Sequence, residues 1–402
     1  MTLFSTINRG LLLSALLVSA TYADTESATK TDPAAQANTT LIETAATQAA
    51  TPSATEAQPA SLSKAQIQQL LAQLTQRVIL PLYEQAENQA LAMQKQLDTF
   101  CATPNADTLK AARNSWIAAL GAWQQAEVVM FGPALEKQRD LHIYFRPVKK
   151  RVIKLLLNQE TPITLENLEF AGVGAQGFAT LEYLLFDRDV NEAELLKRFT
   201  DDTRYCEHLK GTTSLLVRDI QAINQDWKQG YADSMIKAGS ADDAVFPDAM
   251  QPLETVLGKL DQITETVPNK LSNALASGNY LAGKDPKREK VNAHKLEAWR
   301  SGHTLNNLQA NITGIKILLD DGGFLAALET QGQKALATQI RSQIELVQAI
   351  DFASDDLFQQ LQDKQTQAAD TFYAESLKLS QLIKQLSSAL GIQLGFNDSD
   401  GD

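Results

Sequence analysis

Two glutamates stand where helices would ordinarily carry hydrocarbon. In "GFATLEYLLFD" (177–187), at 100° per residue, Phe178, Leu181, Leu184, Leu185 and Phe186 leave hardly any polar arc, and Glu182 falls inside the apolar surface. In "ARNSWIAALGAWQQAEVVMFGP" (112–133), Trp116, Leu120 and Trp123 form one stripe with Glu127 at its centre. A carboxylate in such a position must be hydrogen-bonded, paired, metal-bound or protonated, because burying an isolated charge is very unfavourable. Acids of this kind gather at functional sites, and also in structural ion pairs. The pattern therefore predicts a polar pocket shared by Glu127 and Glu182. The competing expectation is that each is satisfied separately by a nearby base or backbone group. Candidate partners are Arg113, on the face of Glu127, Arg146 in "IYFRP", and Arg300 and Ser301 in "WRSGHT". Ser301 is either the small polar residue of an aliphatic stripe or a helix-start residue. As metal ligands, Glu127 and Glu182 would offer hard oxygen donors of the kind that suit ferric iron.

Other chemistries lack their residues. The four histidines, His142, His208, His294 and His303, form no H-x-x-x-H pair, and there is no H-E-x-x-H or H-x-x-E-H run. P-loop, G-x-G-x-x-G and G-x-S-x-G motifs are absent. The ending "NDSDGD" (397–402) starts like a calcium loop but stops before the acidic twelfth position, so it is expected to be a polar tail. A net charge of −12 argues against a nucleic-acid surface, and the one basic run, "RPVKKRVIK", is expected to be a solvated helix face.

The elements that must hold these residues are helices. Gly (20) and Pro (12) are scarce among 402 residues, and no stretch alternates like a strand. Ser63 is a plausible N-cap for a helix running to about Cys101, with Ile67, Leu70, Leu71, Leu74 and Val78 on one face and a kink expected at Pro81. Further helices are predicted at about 109–131, 134–158, 177–186, 191–229, 249–276, 293–320, 324–350 and 355–391. The fold class is all-α, with two four-helix-bundle-like domains in series at 63–230 and 241–392. A duplication is compatible with superposing the stripe of Trp116 and Leu120 on that of Ser301 and Leu305, although the sequence support for it is weak. The N-terminus reads as a cleaved signal peptide (1–23), Arg9 preceding the short apolar "LLLSALLVSA", and places the protein in the periplasm or cell envelope. Residues 24–62 form an Ala/Thr/Pro-rich linker, 393–402 the polar tail, and no later segment reads as a membrane span. Cys101 and Cys206 are an even pair in an oxidising compartment, which invites a disulfide; two buried free thiols are the alternative.

Taken together, "VILPLYEQA", "FCATP", "AARNSWIAALGAWQQAEVVMFGP", "GFATLEYLLFD", "RYCEHL", "WRSGHTLNNLQANITGIKILL" and "LGFNDSDGD" resemble the imelysin-like family of bacterial envelope proteins, over about residues 63–402. The resemblance implies an all-helical fold of two related four-helix bundles with a site near their interface. The family was first associated with an insulin-cleaving metallopeptidase and is more often linked to iron uptake. Its hallmark is G-x-H-x-x-E. Here Gly177 and Glu182 match, while Ala179 stands at the histidine position. A peptidase activity is disfavoured by that departure. Glu127 corresponds to an acidic position in the family's "W…E…GP" stretch, and Cys101 and Cys206 lie where relatives carry a cysteine pair. The expected function is that of a non-enzymatic envelope protein that binds iron, an iron complex or a partner protein at Glu127, Glu182, Arg146, Arg300 and Ser301. A metallopeptidase and a purely structural or interaction module are the alternatives.

Overall fold

In a computed structural model, residues 62–240, 245–275 and 291–392 are described. The expected signal peptide, nearly all of the expected linker and the expected polar tail lie outside them. The described residues belong to one compact unit. Of the described residues 78% are helical and none is in a strand.

Helix α1 (Lys64–Leu74) starts on a capping box in which Ser63 and Gln66 satisfy each other's backbone donors. A π-helical turn (Thr75–Ile79) leads directly into α2 (Leu80–Ala102). Pro81 therefore sits in the first turn of a new helical segment, where its missing N–H is harmless, and the expected kink takes the form of the π turn before it. Helix α3 (Ala106–Ala126) is capped by Asn105 and Thr108. It ends one residue before Glu127, which opens a 3₁₀ turn held by the Tyr83 hydroxyl donating to the Val129 carbonyl at 2.6 Å.

The single helix expected over 134–158 is broken. It consists of α4 (Arg139–Ile143), an extended stretch, and α5 (Lys150–Asn158). Pro147 disfavours helical backbone at Arg146, and the Arg146–Pro147 peptide is cis. Then come α6 (Leu165–Ala171) and α7 (Gly177–Leu185), the latter matching the expected helix to within a residue. The long helix expected over 191–229 is interrupted where extended Asp202 ends α8 (Glu192–Asp201) and caps α9 (Thr203–Asp226). A second π turn and α10 (Ala232–Ile236) close the first half.

The second half holds α11 (Met250–Leu275), α12 (Thr304–Asp320), α13 (Phe324–Thr330), α14 (Lys334–Gln348), α15 (Leu357–Gln362) and α16 (Gln367–Ala389). Helices expected over 324–350 and 355–391 are each divided in two. The expected 293–320 helix is replaced at its start: residues 293–303 form a 3₁₀ turn and a loop in which Ala298 and Gly302 have positive φ. Ser301 consequently lies on this loop, not on the stripe of α12.

Helix α2 packs on α3 and α9, α11 and α14 pack on α16, and α3 joins the halves by packing on α12. One continuous hydrophobic cluster runs through both halves. Cys101 at the end of α2 is disulfide-bonded to Cys206 near the start of α9, with Cα atoms 5.6 Å apart. No helix among the described residues is long and apolar enough to cross a membrane.

Candidate functional site

Glu182 is positioned by the way its helix starts. At the start of α7, Gly177 has a φ of +69°, and a Cβ there would lie 2.3 Å from the Ile143 carbonyl oxygen. Only glycine permits that turn against the end of α4. The Trp116 indole donates to the Phe178 carbonyl at 3.1 Å, clamping α7 to α3. Glu182 is thereby turned toward the 293–303 loop of the second half, where its Oε1 accepts from the Ser301 amide at 2.9 Å and lies 3.1 Å from the Ser301 hydroxyl. The carboxyl is 5% exposed. Burial raises its pKa above the ordinary carboxylate range, opposed by the Ser301 amide and the Arg300 guanidinium.

Glu127 is buried as well, and its partners come from the second half. The Lys270 ammonium of α11 sits 2.9 Å from Glu127 Oε2, and Asn311 Nδ2 of α12 donates to the same oxygen at 2.9 Å. Lys270 also meets Gln124 Oε1 at 2.6 Å, Asn311 Oδ1 at 2.7 Å and Glu297 Oε2 at 3.2 Å.

Glu297 is a third buried acid, 3% exposed, and sequence reasoning missed it. Its Oε1 accepts from Gln124 Nε2 at 2.8 Å and Asn307 Nδ2 at 3.2 Å, and Arg146 Nη1 lies 2.9 Å from Oε2. The Tyr144 hydroxyl is a further donor. Burial works against the charge of Glu297, but Arg146 and Lys270 outweigh it and hold the pKa below the ordinary range. Burial beside this acid raises the Tyr144 phenol well above its usual value.

The polar network thus runs from Glu127 through Lys270 to Glu297 and Arg146. Glu127 and Glu182 both act electrostatically on the Arg146 guanidinium but have separate hydrogen-bond partners. Ser301 and Arg300 do meet Glu182, from the far half of the chain, as the sequence suggested. Arg146 pairs with Glu297. Arg113 serves neither acid: it donates to the Leu185 carbonyl and pairs with Glu192 at 3.0 Å.

A cavity of about 1400 Å³ opens over Glu182 and Glu297. Ala179, one turn before Glu182, also lines it. Trp299 forms part of the wall, with the Arg300 guanidinium 4.3 Å from its ring centroid and 5.4 Å from that of Tyr183. The loop is braced from outside: Arg188 donates to the Trp299 and Arg300 carbonyls and pairs with Asp356 at 2.6 Å. Among the described residues no three His, Cys, Asp or Glu side chains converge as a metal-ligand set.

The profile of the imelysin family, described also as peptidase M75, matches residues 79–386. This chain belongs to the imelysin family. It is 27% identical over 243 residues to iron-regulated protein A of Synechococcus elongatus, covering 59% of this chain. It spans 60% of the length of that relative. Its fold is shared with the crystal structure of an imelysin-like protein from Psychrobacter arcticum, at a TM-score of 0.67 and 22% identity, over 84% of this chain and 99% of the other. Within the family frame, the helix that carries G-x-H-x-x-E is α7, and Ala179 leaves Glu182 without a histidine one turn away.

Proposed function

We propose that this protein is an envelope component of iron handling that receives an iron species as cargo in the cavity above Glu182 and Glu297. The observation that carries the proposal is the cavity itself. A space of about 1400 Å³ has, on its wall, the glutamate of the family motif and the loop from the other half that is hydrogen-bonded to it. Membership in the imelysin family and likeness to a relative named for iron regulation supply the iron. The apolar leader predicted at residues 1–23 supplies the compartment. A metallopeptidase would need an activated water on a metal, and Ala179 removes the histidine that could share one with Glu182.

The test is titration of the protein lacking its leader with ferric citrate and, anaerobically, with ferrous ion, followed by tryptophan fluorescence and by bound iron after gel filtration. Saturable binding of either form, weakened by Ala179→Phe, which crowds the cavity wall beside Glu182, is expected. Failure of both forms to bind would remove the proposal.

A further inference from the structure

The charges around the cavity identify the kind of ligand it would take. Six basic side chains line it, Arg146, Lys149, Lys150, Arg151, Lys295 and Arg300, against two acids, Glu182 and Glu297. This excess occurs in a chain whose net charge is −12. Both acids are already answered within the protein. Glu297 has Arg146 at 2.9 Å and Lys270 at 3.2 Å. Glu182 has the amide of Ser301 at 2.9 Å and the hydroxyl at 3.1 Å. Of the six cations, Arg146 is ion-paired with an acid of the lining and Arg300 acts electrostatically on Glu182, while Lys149, Lys150, Arg151 and Lys295 form no ion pair with either acid.

The basic residues are also placed at a cost. Lys149, Lys150 and Arg151 occupy the N-cap and first turn of α5, with no acidic residue there and no side-chain cap. The positive end of a helix dipole disfavours cations at that position. "RPVKKRVIK" is thus not only a solvated helix face, because its first half forms a cavity wall. Aromatic faces orient part of the set: Lys149 lies 5.7 Å from the Phe145 centroid, Lys150 6.0 Å from that of Trp299, and Arg300 is held between Tyr183 and Trp299. The Arg300 guanidinium fixed in this way presents a planar fork that suits carboxylates. The size points the same way. Pockets of about 300–1,000 Å³ hold drug-sized ligands, so this one has room for a multi-chelate complex and is far larger than a bare ion needs.

We propose that the cavity binds a multiply charged polycarboxylate anion, and that iron enters it already enclosed in such a chelate. The iron in this statement rests on the function proposed above, whereas the anion rests on the charges alone. The acids of the lining then act as structural anchors. Glu182 ties the 293–303 loop to α7, and Glu297 holds Arg146. Lys149, Lys150, Arg151 and Lys295 meet the ligand's carboxylates, with Arg300, which also acts on Glu182, beside them.

The experiment uses the chain lacking its leader and four probes: iron-free citrate, ferric citrate, the uncharged ferric tris-acetohydroxamate complex, and ferrous ion under anaerobic conditions. Ferric and iron-free citrate are expected to bind, with affinity falling as salt rises. Lys150→Gln and Arg151→Gln, both exposed and so expected to fold, should each weaken citrate binding by about tenfold. Lys64→Gln, exposed on α1 and outside the cavity, should leave it unchanged. The proposal is overturned if the uncharged complex binds as tightly as ferric citrate, or if neither lysine nor arginine variant weakens binding. Ferrous ion binding without either citrate form would also overturn it while leaving the iron function standing. Iron-free citrate binding with no iron-bearing probe bound would uphold the anion site and remove the iron.

Discussion

Lys270→Met tests whether the buried network is a matched set of charges or a collection of independent contacts. The ammonium, on a residue 8% exposed, lies within 3.2 Å of four oxygens: Gln124 Oε1, Asn311 Oδ1, Glu127 Oε2 and Glu297 Oε2. Methionine keeps the alkyl volume and removes the charge. Glu297 would retain Arg146 at 2.9 Å, Gln124 at 2.8 Å and Asn307 at 3.2 Å. Glu127 would lose its ion pair and keep, as a hydrogen-bond donor among the described residues, the Asn311 amide at 2.9 Å. The substitution therefore strands one buried carboxylate, and stranding one partner of a buried pair costs about 3–5 kcal/mol. If that is the mechanism, removing the stranded charge should restore most of the loss. Lys270→Met with Glu127→Gln is expected to come back to within about 1–2 kcal/mol of the parent, since replacing both members of a buried pair is often near neutral. Urea unfolding of the parent, both single variants and the double variant gives the coupling energy directly. A double variant whose losses simply add, or a Lys270→Met loss below about 1 kcal/mol, would refute the reasoning.

Three further outcomes are expected. Replacing Cys101 and Cys206 by serine opens a loop with a sequence separation of 105 and should lower stability by about 4–5 kcal/mol on the chain-entropy estimate, read from urea midpoints under oxidising conditions. His208 is fully buried with its Nε2 3.1 Å from the Ala175 carbonyl, and burial pushes its pKa down to about 4 from 6.5. The unfolded chain therefore takes up a proton that the native state refuses, so stability present above pH 6.5 is lost as pH falls toward 4. The loss is about 3 kcal/mol, and His208→Gln should flatten that part of the stability–pH curve; an unchanged slope would count against this assignment. Finally, Ala179→His places an imidazole one turn from Glu182 on a cavity-lining face, and should confer cobalt binding, read from visible absorbance, that the parent lacks. No gain would mean that Ser301 and Arg300 hold Glu182 too firmly for it to ligate.

What could be read from the sequence divides along the line between periodicity and tertiary pairing. Helix α7 and the burial of Glu127 and Glu182 followed from apolar phase, because 3.6 residues per turn dictates which side chains face inward whatever they pack against. The division of 134–158 and the loop at 293–303 did not follow. Residues there are amphipathic enough to fit a helical template, and the deciding facts are local: Pro147 after Arg146, and positive φ at Ala298 and Gly302. Glu297 was lost with that loop, since a phase drawn through non-helical backbone assigns faces that do not exist. Lys270 and Asn311 are a different case. In α11, Val267, Lys270, Leu271 and Ala274 keep the core spacing, and in α12 Asn311 follows Leu308 by three and precedes Ile315 by four. The signal that singled out Glu127 was therefore present for both. Lysine escaped it because its long stem usually carries the charge out to water along an apolar face. Yet a buried acid on one stripe makes a demand on the rest of the chain, since its charge must be met by a donor that is also buried. Searching the remaining helices for a base in core phase would have found Lys270 as the complement of Glu127. It would also have shown Arg113, at the edge of its own stripe, to be free for Glu192. For buried ionisable groups, the informative unit in a sequence is the matched pair of out-of-place residues on different helices.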